Sequence, residues 1–116
     1  MDKAALRTEL RSQRRALGPA DLTRAGTEAA AHLTAWEGWR AARTVVLHVG
    51  VRGELPTDSV IAAALAAGKT VFLPASGMDG LELRALISAD LLAPGAHGIP
   101  EPPADAARAD LATLDL

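Results

Sequence analysis

Apolar and polar residues follow two different periods along this chain, and the helical period comes first. Leucines recur at helical spacing over residues 2–17 and predict a first helix, which Gly18 and Pro19 should end. A second helix is expected over about residues 20–35 (ADLTRAGTEAAAHLTA). Gly26 lies inside this segment and weakens the helical pattern there.

The two tryptophans and the apolar run after them mark the start of a sheet. Trp36 and Trp39 flank a short turn, and both are expected to anchor the following segment against the core. Residues 44–51 (TVVLHVGV) are short, β-branched and almost wholly apolar, which predicts a strand buried on both faces. A polar loop is expected at residues 52–56.

A further helix and strand complete a strand–helix–strand unit. Thr57 or Asp58 can cap a helix that reaches residue 67, and Gly68 stands where a helix stop belongs. Residues 70–73 (TVFL) predict the next strand, closed by Pro74. Units with such short links give parallel strands joined by a right-handed crossover, so the pattern favours an α/β fold.

The last third of the sequence is less regular. Residues 81–86 (LELRAL) alternate apolar and polar positions and predict a half-exposed third strand. Residues 94–103 are rich in proline and glycine and predict an irregular loop. The sequence LATLDL at 111–116 looks like the start of another strand, and we expect residues 1–116 to form a single domain.

Composition and charge narrow the class of protein. Hydrophobic residues make up 49% of the 116-residue chain, so it can bury a core, although aromatic residues are only 3%. The net charge of -2 argues against nucleic acid or membrane partners, and no stretch approaches the roughly 20 apolar residues of a membrane span. Because cysteine and a secretory signal are both absent, we expect a cytoplasmic protein without disulfides.

Two apparent chemical motifs do not fit their usual context. Gly68, Lys69 and Thr70 resemble the end of a phosphate-binding P-loop, but the first glycine of that loop is missing and the triplet precedes a strand. The three histidines, at positions 32, 48 and 97, have no partner at metal-ligand spacing. The sequence therefore predicts no metal site within this chain.

Three charged features are candidates for binding. Cations four residues apart would form one stripe on the first helix, suited to a polyphosphate: Lys3, Arg7, Arg11 and Arg15. Glu54 lies just beyond the carboxyl end of the first strand, where open α/β sheets bind ligands. Glu101 is held between two prolines, which stiffen its backbone. A solvated helix face, a loop glutamate in water and a rigid linker remain the respective alternatives.

Taken in order, these residues resemble the 5-formyltetrahydrofolate cyclo-ligase family, also called the methenyltetrahydrofolate synthetases. An early K-x-x-x-R is followed by E-x-x-T at Glu54 and Thr57. Next come G-K-x-V-x-x-P, which ends at Pro74, and G-I-x-E-P, which contains Glu101. Each motif is weak alone, but the collinear set covers nearly the whole chain and is specific.

The resemblance implies a fold, a reaction and a set of contacts. The fold would be a three-layer α/β arrangement with a parallel sheet, of the type shared by sugar-phosphate isomerases and coenzyme A transferases. The reaction would be the ATP-dependent conversion of 5-formyltetrahydrofolate to 5,10-methenyltetrahydrofolate with Mg²⁺, carried out by a monomer. Val49 and Glu54 would contact the folate, and Glu101 would contact ligand from its loop. The ATP phosphates would meet the start of the first helix: Lys3, Ala4, Ala5, Leu6 and Arg7.

The sequence departs from the family pattern in two ways. His48 stands where the family usually has Tyr or Phe, which is expected to loosen packing around the folate. After a segment like LATLDL, the family continues into a glycine- and arginine-rich loop that carries much of the nucleotide and metal site, and nothing here matches it. We therefore expect a truncated domain with little or no cyclo-ligase activity by this chain alone.

Two other functions stay open at this point. A truncated relative would bind folate or nucleotide without turnover. A different nucleotide or sugar-phosphate enzyme of the same broad fold would not need a pterin contact. Replacing Glu54 by Gln separates these readings, because only a folate-binding protein should lose folate affinity.

Overall fold

The computed structural model describes residues 2–116 and combines surface helices with a small sheet. The α-helices of this part of the chain are α1 (Lys3–Arg15), α2 (Pro19–Ala35), α3 (Glu37–Ala41) and α4 (Asp58–Ala66). The strands are β1 (Thr44–Val46), β2 (Thr70–Gly77), β3 (Gly80–Leu86), β4 (Ala93–Pro94) and β5 (Pro100–Glu101). Short 3₁₀ turns span Ala89–Leu91, Ala96–Gly98 and Leu111–Thr113.

Helix α1 confirms the first predicted helix but lies on the surface. It begins after Asp2, whose carboxylate accepts a hydrogen bond from the backbone N–H of Ala5 at 2.7 Å. No residue of α1 is buried, and even Leu10 from its apolar stripe is 53% exposed. The helix therefore adds little to the core, and its periodicity alone predicted it.

Helix α2 confirms the second predicted helix, and Gly26 has a packing role within it. A Cβ atom at Gly26 would lie 2.7 Å from the backbone carbonyl oxygen of Pro56. The missing side chain thus lets α2 approach the loop that precedes α4, which offsets the lower helix propensity of glycine.

The tryptophans divide between core and surface. Trp39 in α3 is 3% exposed, whereas Trp36 is 53% exposed, so the expectation that both anchor the chain is wrong for Trp36. The Lys69 ammonium donates hydrogen bonds to the carbonyls of Trp39 (2.6 Å) and Ala42, and lies 5.1 Å from the Trp39 ring centroid. Lys69 therefore serves the fold, in keeping with the rejection of a P-loop there.

The sheet is mixed, so the α/β class is confirmed, but among its three strands the expected parallel pairing is found for β1 with β2 and not for β2 with β3. These strands run parallel, with Val45 opposite Val71. β2 and β3 form an antiparallel hairpin that closes at Gly77 and Gly80. Gly80 adopts a positive φ of 111°, and a link this short reverses the chain because a parallel neighbour needs a long crossover.

The strand lengths differ from the prediction in opposite directions. β1 covers three residues instead of eight, and β2 continues through Pro74 to Gly77. The carbonyl of Phe72 accepts the N–H of Leu47 at 3.0 Å, so Pro74, two residues further, faces the same side of β2. Because β1 has ended at that level, no partner needs the N–H that proline lacks. The expectation that Pro74 closes the strand is therefore wrong.

The outer edge of β1 pairs with residues 115 and 116. The Leu116 N–H donates to the Thr44 carbonyl at 3.1 Å, and the Val46 N–H donates to the Leu116 carbonyl at 2.6 Å, which is a parallel pattern. The Asp115 carboxylate accepts the backbone N–H groups of Arg43 (2.9 Å) and Thr44 (3.0 Å). Residues 115 and 116 thus lie beside β1, but the expected strand over 111–116 is not formed, and Leu111–Thr113 is a 3₁₀ turn.

The core lies between α2, α3 and α4 and one face of the sheet. Its fully buried large side chains are Leu73, Val45 and Val71, which explains how a chain with few aromatic residues builds a core from aliphatic ones. β3 is half exposed as predicted, since Leu86 is 2% exposed and Leu81 is 82% exposed.

Candidate functional site

The loop between β1 and α4 is pinned by a buried hydroxyl. Thr57 is 8% exposed, and its Oγ1 donates to the His48 carbonyl at 2.6 Å and accepts the N–H of Gly50 at 3.1 Å. These bonds draw the chain out of the sheet after β1, which explains why the strand is short. Thr57 precedes α4 but makes no side-chain cap, so its expected capping role is wrong.

Glu54 lies at the tip of this loop, beyond the carboxyl end of β1. One carboxylate oxygen, Oε1, accepts the N–H of Val51 at 2.8 Å, while the other makes no hydrogen bond to the described residues. Arg52 and Gly53 both adopt left-handed backbone, with φ of 51° and 81°. Val49, at the base of the loop, is partly buried and packs against the core. The loop therefore presents one free carboxylate oxygen from a fixed turn.

The predicted phosphate contacts lie on the first turns of α1. The five residues from Lys3 to Arg7 are all exposed, and the Lys3 and Arg7 side chains make no ion pair within the described residues. A surface hollow of about 410 Å³ is lined by Arg7 together with Leu10, Arg11 and Arg14. Lys3 lies about 12 Å from Arg11 along the helix axis, at about 1.5 Å per residue.

The far half of α1 lies beside the Glu54 loop. Arg11, Arg14 and Arg15 line a second hollow of about 290 Å³ together with Arg52 and Gly53. The structure thus brings the carboxyl end of the cationic helix to the loop, with Arg7 connected to it through the neighbouring hollow. Sequence reasoning did not single out Arg14 or Arg52 for this place. Arg52 follows a predicted strand directly, and that position was the signal available.

Glu101 holds the proline-rich segment against the sheet. Its Oε2 accepts hydrogen bonds from the backbone N–H of Ser76 (3.0 Å) and from the Ser76 hydroxyl (3.1 Å). Its Oε1 lies 3.7 Å from Nη1 of Arg84, and the side chain is 12% exposed. Within the expected irregular loop, β4 and β5 form a short antiparallel ribbon that this anchor fixes to β2. The carboxylate predicted to contact ligand is therefore engaged with the protein.

A buried arginine organises the same region. Arg84 is 8% exposed and donates to the carbonyls of Ser76 (2.6 Å) and Pro102 (3.3 Å). It also pairs with Glu82 at 3.4 Å, and the exposed Arg108 binds the other oxygen of Glu82. The Nε atom of Arg84 is buried without a hydrogen-bond partner. This cluster ties β3 to β2 and to the segment after β5.

Two carboxylates hold their charge more strongly than usual. The hydrogen bond from Arg108, with a further contribution from Arg84, lowers the pKa of Glu82 below its ordinary 4.5, against the opposing effect of burial. The backbone N–H groups of Arg43 and Thr44 lower the pKa of Asp115 below its ordinary 3.8. Both groups therefore stabilise the folded chain in their ionised form.

This gives a testable dependence of stability on pH. In the unfolded chain these carboxyls take up protons first, so unfolding consumes protons in the acid range and stability rises with pH there. We expect the free energy of unfolding to hold steady from neutral pH down to about pH 5, and to fall once the pH passes below the ordinary values of 4.5 and 3.8. Urea titrations across this range measure it.

The matched variants identify the groups responsible. Asp115→Asn should make the acid part of the profile less steep, because one of the two ionised anchors is gone at every pH. Asp79→Asn, at an exposed position in the hairpin turn, should leave the shape unchanged. A profile that is flat in the parent chain between pH 5 and pH 3 would contradict the assignment.

The described residues do not assemble a metal cage. Among residues 2–116, no three His, Asp or Glu side chains come together in a way that could hold a metal ion. The Mg²⁺ that the family resemblance implies therefore finds no ready-made ligand set in this part of the molecule, and no step is assigned to it. No helix of the described part is long and apolar enough to cross a membrane.

Comparison with known proteins decides the family. The model of the 5-formyltetrahydrofolate cyclo-ligase family matches residues 1–116, which is the whole of the chain. The chain belongs to the 5-formyltetrahydrofolate cyclo-ligase family. No curated protein matches the sequence.

A solved structure agrees with this family assignment at the level of fold. The NMR structure of Aquifex aeolicus 5,10-methenyltetrahydrofolate synthetase superposes with a TM-score of 0.83 at 23% sequence identity. The match covers 98% of this chain and 58% of that one. The cyclo-ligase fold is therefore present here in a chain that spans a little over half the length of the solved relative.

Proposed function

We propose that this chain takes part in the ATP-dependent conversion of 5-formyltetrahydrofolate to 5,10-methenyltetrahydrofolate, and that it supplies the folate contact and a phosphate-binding surface. The observation that carries the proposal is that the loop bearing Glu54 meets the arginine-rich half of α1 at Arg52 and Gly53. A carboxylate for a heterocycle and cations for a phosphate chain are what a reaction between a pterin and ATP requires.

The chemistry follows from the poor leaving ability of a formyl oxygen. Transfer of the terminal phosphoryl group of ATP to that oxygen turns it into a phosphate leaving group. The N10 nitrogen of the folate can then attack the same carbon, phosphate departs, and the five-membered ring closes. Cations near the transferring group stabilise the charge that develops on its oxygens.

We assign the roles by position. Lys3 and Arg7, with the backbone between them, contact the ATP phosphates from α1. Val49 supplies apolar contact at the base of the loop, and Glu54 accepts N–H groups from the pterin edge through its free oxygen. Glu101 acts on the site through the segment that it anchors. The proposal includes the family's three-layer arrangement, a monomer and a cytoplasmic location.

The alternative is a relative that binds folate or nucleotide without turnover. One observation favours it: residues 2–116 gather no group of His, Asp or Glu side chains that could hold a metal ion. Incubation with ATP, Mg²⁺ and 5-formyltetrahydrofolate, followed by absorbance of the methenyl product, separates the two. We expect binding with little or no turnover by this chain alone, and normal product formation would refute that expectation.

Replacing Glu54 by Gln tests the folate contact. The amide offers one accepting oxygen where the carboxylate offers two, and it carries no charge, so we expect the Kd for 5-formyltetrahydrofolate to rise about tenfold. Isothermal titration calorimetry measures it. Glu28→Gln, an exposed change on α2, should leave the Kd within about twofold. Equal affinities for the parent chain and Glu54→Gln would remove Glu54 from the pterin.

A further inference from the structure

Four guanidinium groups from two separate elements share one hollow. Arg11, Arg14 and Arg15 come from α1, and Arg52 comes from the loop after β1. None of them belongs to an ion pair in the described part of the chain. The carboxylates nearest in sequence, Glu9 and Glu54, accept hydrogen bonds from Gln13 and Val51 and make no ion pair with these arginines. The hollow therefore gathers four guanidinium groups that make no ion pair within residues 2–116.

The helix dipole explains only part of this arrangement. Arg14 and Arg15 lie in the last turn of α1, where cations are favoured by the partial negative charge of the helix end. That argument does not reach Arg52, which lies on another element in a left-handed conformation that a non-glycine residue adopts at a cost. Its guanidinium donates to the His97 carbonyl, a neutral acceptor that fixes the side chain without neutralising it.

Two adjoining surface hollows, rather than one enclosed pocket, extend the cationic surface. The 290 Å³ hollow and the 410 Å³ hollow share Arg11 and Arg14, so a cationic path continues from Arg52 to Arg7. Between Arg7 and Arg14 this path covers about 10 Å of helix at about 1.5 Å per residue. Gly53 forms part of the wall, and no atom lies within 4 Å of where its Cβ would be, so the backbone there is open to a ligand.

The chemistry of guanidinium selects among anions of this length. Its planar fork binds two oxygens of one phosphate or carboxylate at a time. Consecutive phosphates of a polyphosphate carry adjoining charges, whereas the carboxylates of an acidic peptide are separated by its backbone. Four arginines around one hollow match the denser charge of the phosphate chain.

We propose that Arg11, Arg14, Arg15 and Arg52 form a binding site for a polyphosphate chain, beyond the Lys3–Arg7 contact assigned above. The site does not depend on the folate assignment, because it recognises the phosphate chain alone. A nucleoside triphosphate and inorganic polyphosphate share this chemistry, and the experiment distinguishes them.

The test is calorimetric titration of the 116-residue chain with sodium tripolyphosphate, without metal ions. We expect the variant Arg14→Ala/Arg52→Asn to raise the Kd at least about tenfold. Asparagine tolerates the left-handed backbone of position 52, so the loop is kept. Arg24→Ala/Arg40→Ala removes the same charge from exposed positions on α2 and α3, and should change the Kd by less than about twofold.

One more variant and two more ligands decide between the remaining outcomes. Arg11→Ala lies on α1, which buries no residue, and should weaken binding without disturbing the fold, as circular dichroism would verify. ATP binding at least about tenfold tighter than tripolyphosphate identifies a nucleotide as the ligand, and equal binding identifies the phosphate chain; both support the site. Equal losses in the hollow and control variants, or tighter binding of triglutamate, would overturn it. Glu54→Gln should leave tripolyphosphate binding unchanged, so a failed folate contact is recognised separately.

Discussion

Arg84→Ala should lower the free energy of unfolding by about 3 kcal/mol. The guanidinium is 9% exposed and faces Glu82 at 3.4 Å and Glu101 at 3.7 Å. Removing it leaves both mostly buried carboxylates without that cation and deprives the carbonyls of Ser76 and Pro102 of a donor. The penalty comes from the uncompensated groups more than from the value of the ion pair itself.

Urea denaturation of the parent chain and of Arg108→Ala gives the comparison. Arg108 binds the same Glu82, but its side chain is 69% exposed, so its loss should cost under about 1 kcal/mol. Both arginines pair with Glu82, so the difference in unfolding free energy between the two variants measures the effect of burying the arginine. Equal effects of the two substitutions would show that the buried cluster is no more than a surface ion pair.

Gly50→Ala should destabilise the chain by about 3 kcal/mol and displace the Glu54 loop. A Cβ atom at Gly50 would lie 2.1 Å from the backbone carbonyl oxygen of Leu55, and the Thr57 hydroxyl holds the N–H of Gly50 in place. The new methyl group would clash with the Leu55 backbone, and the buried Thr57 hydroxyl restrains Gly50, so the loop itself has to move. Folate affinity should therefore fall together with stability.

Thermal and urea unfolding measure the first effect, and titration with 5-formyltetrahydrofolate measures the second. Gly18→Ala is the matched control, because the nearest atom to its new Cβ would be Asp21 Oδ2 at an ordinary 3.8 Å. We expect that control to change stability by under about 1 kcal/mol, as a cap position allows. A Gly50→Ala chain with parent stability would mean that the turn is looser than described.

The sequence predicted elements whose cause is local. The leucine period of α1, the Asp58 start of α4 and the β-branched run of β2 depend on residues within the element, so they could be recognised without knowledge of neighbours. The parallel pairing of β1 with β2 followed from the short links around α4.

What the sequence did not predict depends on contacts between distant residues. β1 is short because the Thr57 hydroxyl captures the His48 carbonyl, nine residues away. β2 runs through Pro74 because β1 has already ended beside it. Neither strand length could be predicted from the propensities of nearby residues. The antiparallel direction of β3 depends on a hairpin turn at Gly80, which the strand pattern alone did not reveal.

The same division holds for the candidate site. The position of Glu54 beyond a strand could be inferred from the order of elements, since it lies in the loop that follows β1. The proximity of Arg52 to the arginines of α1 could not be inferred from the sequence. It depends on the left-handed turn and on how α1 packs beside the loop. Glu101 was chosen for its stiff neighbours, and its engagement with Ser76 and Arg84 required the sheet to be in place.

The exposed setting of α1 has a thermodynamic consequence. A helix that buries none of its side chains is held to the body by little free energy, so it should open and close well below the cost of global unfolding. An anion bound to both α1 and Arg52 would then hold the helix against the loop after β1. By linkage, the two effects have the same size. The factor by which the anion favours the closed position of α1 equals the factor by which closure of α1 raises the affinity for the anion.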